Sequence, residues 1–166
     1  MENTNKFLTA VTAQEGNSVS VVGDTYRTIV GGDETGGTYA LIDMLIPTGG
    51  GPGPHSHAGV QEAFYIIDGE IEVTTKEKIY TAVTGLYINI PFDGPAHKFT
   101  NKRDKTAHIL CLVTPSGMEK MFEEIGKPVA AGTFLPKPEM KPDELKKFQA
   151  IAEKYGQTLY PPDYLG

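Results

Sequence analysis

Glycine and proline recur along the whole chain and divide it into short segments, which constrains the possible folds more than any other feature. Nineteen glycines and twelve prolines fall mostly between short runs that are rich in β-branched and aromatic residues, a composition typical of strands. Many short strands at close spacing predict an all-β sandwich or barrel. The predicted strands are residues 19–22, 26–30, 38–46, 55–57, 62–67, 70–75, 79–82, 86–90, 97–101 and 108–113.

The two ends of the chain differ from this β-rich middle. Residues 1–15 are polar and predict a loosely held N-terminal arm that could contain one early strand. Two helices are predicted near the C-terminus, one over 117–125 with Ser116 as its N-cap and Gly126 as its stop, and one from Pro142 to Gly156. We therefore expect one domain, with a barrel over 1–115 and a helical extension over 116–166. The extension should pack on the barrel through an apolar stripe formed by Leu145, Phe148, Ile151, Ala152 and Tyr155.

Charge and cysteine content exclude several classes of protein. The net charge is −6, and a protein that binds duplex nucleic acid needs a basic face, so we expect no nucleic-acid partner. Cys111 is the single cysteine, which rules out a disulfide within the chain, and its strand-like surroundings predict a small buried side chain. No run is long and apolar enough to span a membrane, and the N-terminus lacks a signal-peptide pattern, so we expect a cytoplasmic protein with no membrane partner.

Two histidines at positions 55 and 57 predict a local structure and a chemistry together. Residues two apart on a strand point to the same face, with Cα atoms roughly 6.6 Å apart. Their imidazoles can then converge on one ion, whereas the same spacing on a helix would separate them. The spacing therefore predicts that His55 and His57 lie on a strand and bind one metal ion together.

Glu62 completes this pattern only if the chain bends after His57. Because five residues separate the two, an unbroken strand would place them on opposite faces. Gly59 makes a bend easy, and we therefore expect one between the strand of His57 and the strand of Glu62. On the second strand, alternation places Phe64 and Ile66 on the same face as Glu62.

His97 is distant in the sequence and follows a second turn, residues 91–95, rich in proline and glycine. If the sheet closes into a barrel, we expect its strand to face that of His55 and His57 across the interior. Three neutral imidazoles and one carboxylate suit iron, manganese, cobalt, nickel, copper or zinc. The sequence therefore predicts one divalent transition metal held by His55, His57, Glu62 and His97. The remaining histidine, His108, has no partner at ligand spacing, and we expect a structural or surface role rather than a fifth ligand or a proton shuttle.

Two longer patterns contain these four residues. They are Gly49-x5-His55-x-His57-x4-Glu62-x6-Gly69 and Gly85-x5-Pro91-Phe92-Asp93-Gly94-x2-His97-x3-Asn101. Together they resemble the two motifs of the cupin superfamily, except for one extra residue between Pro91 and Gly94. The resemblance implies an antiparallel jelly-roll barrel, also called a double-stranded β-helix, with a buried metal and often a homodimeric assembly.

A narrower resemblance concerns the reaction. Residues 55–57 and 62–70, together with 114–122, are similar to single-domain cupins described as quercetin-dioxygenase-like. This implies a metal-dependent dioxygenase that acts on a small enediol or flavonol-like molecule together with O₂. Glu62 is the one ionisable ligand that could leave the metal and act as a general base. Two alternatives stay open, a non-oxidative isomerase or lyase and a small-molecule-binding protein without turnover, because one fold hosts many chemistries.

Six apolar residues near these motifs have two interpretations each. They are Phe64, Ile66, Phe99, Met118, Met121 and Phe122. The first three alternate with ligands and either fill the core or line the substrate pocket. The last three belong to the first predicted helix, which either covers the barrel mouth as a lid or seals the core.

Overall fold

A computed structural model of the protein describes residues 8–166; residues 1–7 of the predicted N-terminal arm lie outside this range, and residues 8–15 contain no strand. The described residues form twelve strands and three helices. The strands are β1 (Asn17–Val21), β2 (Asp24–Val30), β3 (Ala40–Ile46), β4 (His55–His57), β5 (Gln61–Asp68), β6 (Glu70–Thr74), β7 (Ile79–Val83), β8 (Tyr87–Ile90), β9 (Lys98–Thr100), β10 (Ala107–Thr114), β11 (Lys127–Pro128) and β12 (Gln157–Leu159). The helices are α1 (Gly32–Thr35), α2 (Met118–Ile125) and α3 (Pro142–Lys154).

The strands form two layers in which every pairing is antiparallel. One layer is a seven-stranded sheet in the order β11-β1-β2-β3-β10-β5-β8. The other contains the three-stranded sheet β7-β6-β9 and the two-stranded sheet β12-β4, which a backbone bridge between His55 and His97 joins. This arrangement confirms the antiparallel all-β architecture predicted from the sequence.

Alternate residues of the strands point into the space between the two layers. On β5, Phe64 and Ile66 are fully buried while Tyr65 between them is exposed, as the alternation predicts. The rings of Phe64 and Phe99, from opposite layers, pack edge to face with centroids 5.2 Å apart. Because each large apolar side chain stabilises the fold by about 1.5–3 kcal/mol when fully buried, this interior holds the two layers together.

The first C-terminal helix, α2, begins one residue later than predicted. Its N-cap is Gly117 rather than Ser116, whereas Gly126 ends the helix as expected. The carboxylate of Glu119 accepts hydrogen bonds from the backbone N–H groups of Gly117 at 2.6 Å and of Gly32 at 2.9 Å. The prediction for Ser116 was wrong because a side chain of the helix's own first turn, Glu119, bonds the N–H of the N-cap residue Gly117.

The residues after α2 and α3 add two short strands that were not predicted. β11 extends the seven-stranded sheet beside β1, and β12 pairs with β4 over all three of its residues. Helix α3 begins at Pro142 and ends before Gly156, close to the predicted bounds. Of its apolar stripe Ala152 is fully buried, whereas Leu145 is half exposed. Among the helices of residues 8–166, none has the length and apolar character needed to cross a membrane.

Candidate metal centre

Strand β4 carries two of the four candidate ligands and is held along both edges. His55 and His57 are buried, while Ser56 between them faces the other way and its hydroxyl lies 3.1 Å from that of Tyr160. On one edge, the backbone N–H groups of His55 and His97 each donate to the other residue's carbonyl at 2.9 Å. On the other edge, β4 pairs with β12. The three histidines are therefore neighbours in one layer.

Glu62 approaches the three histidines from the opposite layer. It is the second residue of β5, within the seven-stranded sheet. Gly59 makes the predicted bend with φ +68°, a left-handed conformation that glycine adopts without strain, and its N–H donates to Asp93 at 2.8 Å. The prediction that His97 faces His55 across the interior was wrong, because the backbone bridge puts both in the same layer. Glu62 is the residue on the far side.

The four side chains converge on one buried point. One ligand atom from each of His55, His57, Glu62 and His97 lies within 4.8 Å of every other. The Nε2 atoms of His57 and His97 lie 3.1 Å and 3.4 Å from Oε2 of Glu62. Atoms that bind one metal at adjacent positions, with bonds of about 2.1 Å, are roughly 3.0–3.4 Å apart. The cluster could therefore hold a metal ion.

Backbone carbonyls select which ring nitrogen faces this point in two of the histidines. Nδ1 of His55 lies 2.8 Å from the carbonyl oxygen of Gly53, and Nδ1 of His97 lies 3.0 Å from that of Pro95. Because a carbonyl oxygen only accepts, each Nδ1 carries the proton and each Nε2 presents a lone pair. Within residues 8–166, the buried Nε2 of His97 and Nδ1 of His57 have no hydrogen-bond partner. For His97 this is the condition expected of a nitrogen that binds a metal.

Burial and mutual contact set the charges in the cluster. Burial, followed by the proximity of His97 and His57, lowers the pKa of His55 to about 3. This imidazole is therefore neutral at pH 7, the state that binds metals. Burial alone would raise the pKa of Glu62, but the hydrogen bond from His57 and the proximity of His97 outweigh it and hold the pKa of this carboxyl below its usual range. An ionised carboxylate beside neutral imidazoles suits a divalent cation.

Cys111 contacts the other oxygen of Glu62. Its Sγ donates to Oε1 of Glu62 at 3.4 Å, while Oε2 faces His57 and His97. Burial and the negative charge of Glu62 raise the pKa of the Cys111 thiol well above its ordinary value, so the thiol stays protonated. The side chain is fully buried, as predicted, and in addition it helps to orient the carboxylate.

The glycine-rich loop before β4 is fixed against two strands. Gly51 has φ +114°, and a Cβ at this position would lie 2.1 Å from the carbonyl oxygen of Phe99, so the close approach requires glycine. The N–H of Gly51 also donates to the carboxylate of Asp24, at 3.2 Å and 3.1 Å from its two oxygens. The loop thereby fixes the point at which His55 enters β4.

A cavity of about 290 Å³ lies beside the cluster. His55 and Glu62 line it, and most of the other walls are apolar. Four of the five methionines of the chain contribute to these walls, namely Met44, Met118, Met121 and Met140. Methionine is flexible and polarisable, and it makes favourable contacts with aromatic rings. The ligand cluster therefore borders an apolar cavity whose walls include several flexible methionine side chains.

The structure separates the two interpretations of the apolar residues near the motifs. Phe99 lines the cavity, and so do the α2 residues Met118, Met121 and Phe122, so α2 forms one of its walls. Phe64 and Ile66 fill the core without lining this cavity.

His108 lies outside the cluster. Its Nε2 pairs with Asp43, which also binds Arg27 at 2.8 Å. Both partners lie on neighbouring strands of the seven-stranded sheet, so the role of His108 is structural, as expected from the sequence.

Several residues of the cavity were missed by sequence reasoning. Asp24 at the start of β2 and Lys137 in the segment before α3 line the cavity, as do Phe148 of α3 and Tyr160 just after β12. In the sequence, Asp24 follows a glycine and is indistinguishable from an ordinary turn aspartate. For the segment after Gly156, the sequence signal that could have indicated a role in the cavity was its content of aromatic residues.

Comparisons with known proteins bear on the fold. A family model described as the cupin domain matches residues 42–113, which contain all four candidate ligands. No curated protein sequence matches the chain significantly. Among solved structures, the chain is similar to a sugar phosphate isomerase from Silicibacter pomeroyi, with 17% identity, a TM-score of 0.57 and coverage of 64% of this chain and 75% of that chain.

Two further solved structures are similar to the chain. One is a predicted oxalate decarboxylase from Thermotoga maritima, with 19% identity, a TM-score of 0.57 and coverage of 64% of this chain and 99% of that chain. The other is the polyketide cyclase RemF from Streptomyces resistomycificus, with 15% identity, a TM-score of 0.58 and coverage of 84% of this chain and 97% of that chain. At these identities the similarity concerns the fold alone.

Proposed function

We propose that the chain, which has the cupin fold and matches a cupin-domain model over residues 42–113, is a metal-dependent oxygenase. Its substrate would be a small, mostly apolar molecule with enediol or flavonol-like oxygen atoms. The three similar structures are named for three different reactions, so the proposal rests on the site rather than on the fold.

One observation carries the proposal: three imidazoles and one carboxylate meet at the wall of a mostly apolar cavity. This ligand set suits iron, manganese, cobalt, nickel, copper or zinc. When bound, such an ion supplies Lewis acidity, and the redox-active members of the set also supply electrons for O₂ chemistry. The apolar walls exclude water from the reacting groups, which suppresses side reactions of reactive species.

Glu62 has the position and the charge of a general base. Its carboxylate is ionised and lines the cavity beside His55. A base must lie within hydrogen-bond reach of the proton that it abstracts, and a substrate hydroxyl that enters the cavity next to His55 would meet this condition. Glu62 would accept that proton and leave the electron pair on the substrate oxygen.

The size of the cavity limits the substrate. Small-molecule pockets commonly measure roughly 300–1,000 Å³, and this cavity, at about 290 Å³, lies at the lower end. A compact molecule of one or two rings fits this space better than a long chain. Its oxygen atoms would face Glu62 and His55, and its apolar part would contact the methionines.

The proposal is tested by oxygen consumption. The full chain, expressed without a metal-chelating tag, is analysed for its metal content, loaded with each of the six candidate metals and assayed in an oxygen electrode with a panel of flavonols and other enediols. We expect O₂ uptake with at least one redox-active metal and none with a His57→Ala variant.

Three other results would contradict the proposal. If no metal supports O₂ uptake across the panel, the oxygenase assignment is wrong. Substrate conversion without O₂ uptake, in a protein that retains only zinc, would assign a non-oxidative isomerase or lyase instead. Tight binding without any conversion would assign a small-molecule-binding protein.

A further inference from the structure

A second buried carboxylate lines the cavity, and the proposed function does not use it. Asp24 lines the same cavity as His55 and Glu62. Tyr26 lies two residues further along β2, and its hydroxyl donates to Oδ2 of Asp24 at 3.0 Å. The other donor to Asp24 is the backbone N–H of Gly51. An ionised carboxylate offers about four acceptor positions, so two donors leave capacity for a ligand.

Asp24 is buried without a close cation. Only 3% of its surface is exposed, and within residues 8–166 no lysine, arginine or histidine forms an ion pair with it. Lys137, on the wall of the same cavity, attracts it from a longer distance. As a result, burial raises the pKa of Asp24 to about 6. Buried aspartates are usually paired, and a costly unpaired group in a cavity is characteristic of a functional site.

We propose that Asp24, supported by Tyr26, is a second polar anchor of the cavity and binds a substrate hydroxyl group other than the oxygen atoms held at the ligand cluster. The ionised carboxylate of Asp24 accepts a hydrogen bond from that hydroxyl, and no covalent bond breaks. The inference rests on the proposed function, because it assumes that the enediol oxygen atoms of the substrate lie at Glu62 and His55.

The charges around Asp24 define the class of ligand. Lys137 on the same wall disfavours a cationic group near Asp24, whereas a neutral hydroxyl donor fits beside a carboxylate and a phenol. Because most of the other lining residues are apolar, the fitting ligand is a compact aromatic molecule that carries an enediol and one further hydroxyl group.

A purely structural role for Asp24 makes a different prediction. Its bond to Gly51 holds the loop that precedes His55, and an asparagine could accept the same bond through its side-chain oxygen. Asp24→Asn therefore keeps the support of the loop but removes the charge and the proton acceptor. If the role were only structural, this variant would bind ligands as the wild type does.

The test uses the zinc-loaded full chain and two probes, naphthalene-2,3-diol and naphthalene-2,3,6-triol, whose affinities are measured by titration calorimetry at pH 8 without oxygen. The probes share the enediol end and differ by one hydroxyl at the other end. We expect the wild type to prefer the triol by about tenfold or more, the value of a hydrogen bond to a charged group. Asp24→Asn should reduce this preference to about twofold or less and leave the zinc affinity unchanged.

A matched control is Glu119→Gln, which changes another buried carboxylate that lies outside this cavity and should keep the preference for the triol.

A second measurement, the pH dependence of the preference, needs no variant. The groups that act on Asp24 are the Tyr26 hydroxyl, the Gly51 N–H and, at a longer distance, Lys137. Because Asp24 itself gains a proton, the preference should weaken in the wild type as the pH falls through about 6.

The outcomes separate the two proposals. A wild type without preference for the triol, or an Asp24→Asn variant that keeps the preference, would refute the role of Asp24. If neither probe binds more tightly with zinc than without it, the proposed function fails. A preference for the triol that persists in the zinc-free wild type and disappears in Asp24→Asn would then still support the anchor.

Discussion

Two buried carboxylates line the cavity, and they differ in their ionisation. Glu62 and Asp24 are both only 3% exposed. Burial raises the pKa of both, but at Glu62 the hydrogen bond from His57 and the proximity of His97 outweigh burial and lower the pKa. At Asp24 the hydroxyl of Tyr26 and the N–H of Gly51 are too weak to do so, and the pKa rises to about 6.

The difference shows that neighbours, rather than depth of burial, decide the charge of a buried acid. Three imidazoles favour the anion at Glu62, and the same imidazole nitrogens make this position suitable for a cation. Neutral donors leave Asp24 able to change its protonation near neutral pH. The surroundings of Glu62 therefore suit a cation, whereas those of Asp24 allow it to gain or lose a proton near pH 6. Each of the following variants tests one side of this contrast.

The largest effect is expected for His57→Ala. The variant removes one of four candidate ligands at a site with no spare histidine in reach. Loss of an outer-shell partner already reduces metal affinity by about 10–100-fold, so loss of a ligand should reduce it by more than about 100-fold. Titration with Co²⁺ or Zn²⁺ measures the affinity, and His108→Ala, which removes the histidine outside the cluster, is the control. Equal metal affinity in both variants would contradict the assignment.

Glu62→Gln removes the charge at the candidate metal centre with little change of size. We expect metal affinity to fall by about 10–100-fold, in the range reported for the loss of supporting groups, because an amide oxygen is a poorer partner for a divalent cation than a carboxylate. Asp24→Asn, the same chemical change at the other carboxylate, should leave the affinity unaltered. If both variants lose metal equally, the two carboxylates do not differ in the way proposed.

Asp24→Asn should instead change the pH dependence of stability. A carboxyl whose pKa is 3.8 in the unfolded chain and about 6 in the fold is protonated more readily in the folded state, so stability is lost as the pH rises from about 4 through 6. The full difference corresponds to roughly 3 kcal/mol. Weaker hydrogen bonds to the amide offset part of it, and the variant should be more stable than the wild type by about 1–2 kcal/mol at pH 8.

Chemical unfolding in urea at pH 4 and pH 8 measures this gain in the metal-free protein. No gain is expected at pH 4, where the wild-type carboxyl is already protonated. A variant that is less stable than the wild type at pH 8 would show that the charge of Asp24 does not oppose folding.

The smallest effect is expected at Cys111, which contacts Glu62 from the side opposite the histidines. Cys111→Ala removes the donor and should lower metal affinity by a few-fold, since a thiol is a weak hydrogen-bond donor. Cys111→Ser restores a donor and should recover most of the loss. Metal titration of the two variants is the measurement, and an affinity ranking with serine below alanine would exclude an orienting role.

Contacts between residues that are close in the sequence could be predicted, whereas contacts between distant segments could not. The two-residue spacing of His55 and His57 predicts their shared face, because alternation is a local property of strands. The bend at Gly59 was likewise predictable, because an odd spacing to Glu62 required one. The residues of this local kind carry the candidate metal centre.

Contacts between distant segments were not predictable. The pairing of β4 with β12 involves a three-residue strand after a helix, too short to leave a periodic pattern. Asp24 reaches the cavity only because the glycine-rich loop folds back onto β2. The position of His97 beside His55 depends on a single backbone bridge, which no spacing in the sequence specifies.

Anomalous diffraction from crystals of the metal-loaded protein tests the central claim most directly. Data collected at the absorption edge of the bound metal should give one strong peak among His55, His57, Glu62 and His97, within about 2.0–2.2 Å of a ligand atom from each. A peak elsewhere, or none at that point in protein that carries stoichiometric metal, would contradict the account.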